Sequence, residues 1–106
     1  MSLVGTYVNV AQNFTLVITE ANNANGTGKG TMNWGPHSVP VTLHYHFANN
    51  TGAATNLWVA GNQDDPNKYV AGAGYTTGPD FPFIQIGVSL STENRVDTFS
   101  TRLDRK

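Results

Sequence analysis

Apolar residues in this chain come in short runs at every second position, and no segment places them at the 3.6-residue spacing of an amphipathic helix. That pattern points to β structure throughout. Eight runs can be read as strands, each bounded by Gly, Asn, Asp or Pro: Gly5–Asn9, Phe14–Glu20, Gly28–Trp34, Ser38–Phe47, Asn56–Asn62, Tyr69–Thr77, Phe83–Ser91 and Val96–Leu103. The connections are short. "EANNANGTG" carries the strongest turn chemistry, because Asn25-Gly26 favours positive φ. "ANNTGAAT", "NQDDPN" and "TTGPDFP" read as further loops. Strands that follow each other so closely pair most simply with their sequence neighbours. The expected fold is all-β: one domain over residues 1–106, an eight-stranded antiparallel up-and-down barrel. Such a barrel is just wide enough for side chains or one small ligand.

Composition narrows the function. Only 12% of the 106 residues are charged and the net charge is −1, so no cationic patch is expected for nucleic acid or for an anionic membrane surface. With no Cys, disulfides, thiolate nucleophiles and Cys-based metal sites are excluded. No apolar run is long enough for a spanning helix. No charged and apolar leader pattern precedes the first strand, which leaves a cytoplasmic protein or a trimmed secreted form as the expectation. No cofactor is implied.

The last strand candidate, "RVDTFSTRL", poses a question. Alternation puts Asp97 on the same face as Phe99, Thr101 and Leu103, which looks like the inner face. A carboxylate there needs a partner or a ligand, because an unpaired buried charge is costly.

Three segments resemble the avidin and streptavidin family: the opening "GTYVNVAQNFTLVI", the third-strand "GKGTMNW" and the closing "VDTFSTRL". The resemblance implies an eight-stranded barrel, commonly a dimer or tetramer, that holds biotin at one open end. It implies that Asn9 hydrogen-bonds the ureido oxygen of biotin and that Asn13 stands where a Ser has a similar role. Asp97 would accept from a ureido N–H beside Asn9, and Tyr7 would replace the Trp of the opening motif. Met32 stands where the family has a Tyr, and the family's pocket Trp residues lack clear counterparts, so affinity for biotin is expected far below the family's.

Other residues admit competing readings. Trp34, which shares a face with Met32, along with Trp58, Tyr69 and Tyr75, could stack on a ligand or fill a barrel or an interface. His44 and His46 in "LHYHF" suit a metal only with a third ligand, and an exposed polar face explains them as well. "FPFIQIGVSL" reads as apolar on both faces, which suggests a homodimer or homotetramer interface along Phe83–Leu90. No catalytic constellation stands out. The expectation is a non-enzymatic barrel binding biotin weakly or a changed small ligand through Tyr7, Asn9, Asn13, Met32, Trp34, Trp58, Tyr69 and Asp97. A sugar-binding barrel is the alternative, since sugars also stack on Trp and bond to Asn and Asp. A protease inhibitor using the Thr76–Phe81 loop is the third reading.

Overall fold

The computed structural model describes residues 2–46, 54–62, 68–77, 80–92 and 94–106. Its eight strands are β1 (Gly5–Asn9), β2 (Phe14–Asn22), β3 (Thr27–Trp34), β4 (His37–Tyr45), β5 (Ala54–Asn62), β6 (Tyr69–Thr77), β7 (Phe83–Thr92) and β8 (Arg95–Arg105). All neighbours pair antiparallel in sequence order, and β8 returns to β1 to close the barrel. No helix occurs among the described residues. The expected strands are all present, with bounds that differ by a residue or two. β2 runs on to Asn22 because a bulge between Ile18 and Glu20 resets its alternation, and β8 extends to Arg105. Phe47 and the loops 48–53 and 63–67 lie outside the described residues.

Strand alternation builds the core. Tyr7, Phe14, Leu16, Ile18, Met32, Val39, Leu43, Val59, Val70, Ile84, Ile86 and Leu103 all point inward and are buried. Several tight places need glycine, Gly26 and Gly74 among them. At Gly26 φ is +67°, and a Cβ would lie 2.1 Å from the Tyr45 carbonyl oxygen. At the inward Gly74 a Cβ would lie 1.9 Å from the Gln85 carbonyl oxygen, so β6 and β7 approach only because no side chain stands between them.

The two-sided apolar reading of "FPFIQIGVSL" is corrected. Ile84, Ile86, Val88 and Leu90 all share the inward parity, while the outward positions are Phe83, Gln85, Gly87 and Ser89. The run looked continuous because Phe83 precedes the alternating set.

Candidate functional site

The barrel end formed by the β1–β2, β3–β4 and β7–β8 connections gathers several of the expected ligand residues but spends them on structure. Asn9 closes β1: its Nδ2 donates to Thr101 Oγ1 (3.1 Å) and to the Arg102 carbonyl (3.2 Å), and its Oδ1 accepts from the Gln12 N–H (3.1 Å). The Thr101 hydroxyl also donates to Gln12 Oε1. Asn13 adopts φ of 51° and donates its N–H to the Val10 carbonyl, so it shapes the hairpin turn. Met32 is fully buried, and Trp34 packs against the core beside His37, ring centroids 5.4 Å apart. Phe14 and Phe99 meet edge-on at 5.4 Å. The described lumen is therefore filled by side chains.

Asp97 does not sit beside Asn9. Tyr7 pairs with Arg105, so Asn9 is level with Leu103, and Asp97 lies six residues further along β8, about 20 Å away. Arg95 Nη2 donates to Asp97 Oδ1 at 2.8 Å, and the Asp97 side chain is 48% exposed. The carboxylate on an inward parity is explained by β8 running past the end of β1, where inward positions are open to water.

At the other end Tyr7 is buried. Its hydroxyl donates to the Leu3 carbonyl (2.8 Å) and accepts from Arg105 Nη1 (3.1 Å). Burial pushes the phenol up to about 12, against a smaller opposing pull from the Arg105 cation. Arg105 also donates to the carbonyls of Ser2, Val4 and Asp80. Tyr7 and Arg105 thus seal this end. The Thr76–Phe81 loop is anchored here too: Thr76 and Phe81 are buried, and the Phe81 N–H donates to the Thr77 carbonyl. Residues 78–79 lie outside the described residues.

A cleft with free aromatic surface lies on the outside of the barrel. Trp58 points outward from β5 and is 48% exposed. Its register partner on β4 is His44, and the two rings stack at 4.3 Å and 11°. On β6 its partner is Ala73, too small to cover the other indole face. Asn25, His46 and Asn56 complete a groove of about 540 Å³, with Gly74 in its wall. The groove is held firmly: the His46 N–H donates to the Asn56 carbonyl, and the Tyr45 hydroxyl donates to Asn23 Oδ1 at 2.6 Å. No Lys, Arg, Asp or Glu is among its described lining residues. Its chemistry is a flat apolar surface ringed by neutral hydrogen-bonding groups.

Of the expected ligand residues only Trp58 belongs to this groove; Tyr69 is exposed near the start of β6, paired with Asn62 and four residues along the strand from the Ala73 that pairs with Trp58. His44, Asn25 and Asn56 were not singled out as ligand contacts. Parity alone places His44 and Trp58 outward, but their stacking follows from the β4–β5 register. No group of three or more metal-ligating side chains occurs among the described residues, so His44 and His46 lack a third ligand there. No family model, curated protein or solved structure matches the chain.

Proposed function

We propose that the protein is a non-enzymatic sugar-binding barrel whose site is the outer groove at Trp58. The observation that carries this reading is the Trp58–His44 stack with its second indole face open above Ala73. A pyranose ring has one face of C–H bonds, slightly positive, which suits the negative face of an indole. Its equatorial hydroxyls radiate in the ring plane, where Asn25, Asn56 and the outward His46 offer amide and imidazole partners. The neutral lining favours an uncharged sugar over a sialylated or sulfated one.

The avidin-type reading draws support from the closed eight-stranded barrel and from the opening and closing segments. The packed lumen and the distance between Asn9 and Asp97 weigh against it. A glycan array probed with the wild type and with Trp58→Ala decides for or against the groove. Binding to neutral glycans that falls tenfold or more in the variant, a loss of about 1.4 kcal/mol or greater, supports it. Binding unchanged by the substitution, or an array without any binding, refutes it.

A further inference from the structure

The barrel closes through a narrow seam, and the seam leaves an edge open. β8 pairs with β7 from Arg95 to Asp104, but with β1 only through Asp104 and Arg105. Asn9 and Gln12 cover β8 as far as Thr101. Beyond that, Arg95–Ser100 has no strand on its second side among the described residues. The direction of the backbone groups follows from the bonds that are made. The Arg105 N–H reaches Pro82 on the β7 side, whereas the Lys106 N–H reaches Thr6 and the Arg102 carbonyl receives Asn9, both on the β1 side. Antiparallel alternation then turns the N–H and C=O of Val96, Thr98 and Ser100 toward the open edge. Val96 is 65% exposed there.

We propose that this edge pairs with the same edge of a second copy of the chain, antiparallel, with Val96 on the twofold axis. An unpaired edge of this kind is a template for another strand, and a twofold contact must be complementary to itself. Charge selects the register. With Val96 opposite Val96 of the second copy, Arg95 of each chain faces Asp97 of the other, twice, at the closely spaced positions where side chains meet. Shifting the axis to Asp97 would set the two carboxylates against each other. Shifting it to Thr98 would set Asp97 against Phe99. Arg95 and Asp97, now bonded within one chain at 2.8 Å, would become a four-member charge cluster across the contact. The edge is short, so the dimer is weak and forms in the upper micromolar to millimolar range.

Sedimentation equilibrium from about 10 μM to about 1 mM tests this, with circular dichroism to confirm that each variant is folded. The wild type should dimerise with increasing concentration, less so in high salt. Val96→Pro removes an N–H that the β7 ladder does not use, so the barrel should stand while the dimer is lost. Arg95→Asp should abolish the dimer, and Arg95→Asp combined with Asp97→Arg should restore it. A wild type that stays monomeric to about 1 mM overturns the proposal. So does a dimer that survives Val96→Pro or Arg95→Asp, or one that the double charge swap fails to restore.

Discussion

Replacing Arg105 with Met removes a guanidinium that ties three separate segments to the end of β8. It donates to the Val4 carbonyl at 2.7 Å, to the Ser2 carbonyl and Tyr7 hydroxyl at 3.1 Å, and to the Asp80 carbonyl at 3.2 Å. Its cation also lies 5.5 Å from the centroid of the Tyr7 ring. A hydrogen bond to a charged group contributes roughly 1.5–3 kcal/mol, but these bonds share one donor group and several of the carbonyls can turn to water. Met keeps much of the aliphatic packing, so the expected loss is about 3 kcal/mol rather than the sum. For a chain of this size that lowers the melting temperature by on the order of 12 °C or more. Arg105→Lys keeps the charge but loses the planar fork, and should fall between the two. Thermal and urea unfolding followed by circular dichroism measure both. A melting temperature within about 3 °C of wild type for Arg105→Met would refute the idea that this residue seals the barrel.

Two further outcomes follow from buried groups. The Tyr7 phenol titrates at about 12 in the folded chain against 10.0 as its reference value, so between those values the unfolded chain has released a proton that the folded chain retains. Stability should hold below pH 10 and fall as pH rises toward 12, by roughly 2–3 kcal/mol in all, and Tyr7→Phe should remove that part of the slope in a pH series of urea melts. Gly74→Ala should destabilise strongly, by about 2 kcal/mol or more, because its Cβ meets the Gln85 carbonyl oxygen, and a urea midpoint near wild type would contradict that close approach.

The barrel was legible because its signals are local. Alternation in "FTLVI" and "VPVTLHY", Asn25-Gly26 at the β2–β3 turn and short connections each specify a neighbour-to-neighbour pairing. Tyr7 and Met32, expected as ligand contacts, are packed core, since a strand motif says which residue stands at a position and not whether space remains beside it. Asp97 was misplaced relative to Asn9 because the first and last strands meet with a register fixed by closure of the whole ring. No local segment encodes that offset. The Trp58–His44 stack was hidden for a different reason: its members stand on neighbouring strands, and the β4–β5 register that sets them side by side is not written in the alternation of either strand.

The chain has two tryptophans, and they separate the outer groove from the lumen. Trp58 is half exposed outside the barrel, while Trp34 packs against the core at the barrel end where an avidin-type ligand would enter. Each indole N–H gives its own proton–nitrogen resonance, assignable by Trp58→Phe and Trp34→Phe. On titration with the neutral sugar that binds best, the Trp58 resonance should move to saturation while that of Trp34 stays in place. A ligand that shifts Trp34 and leaves Trp58 unmoved would contradict the outer site and return the function to the barrel end.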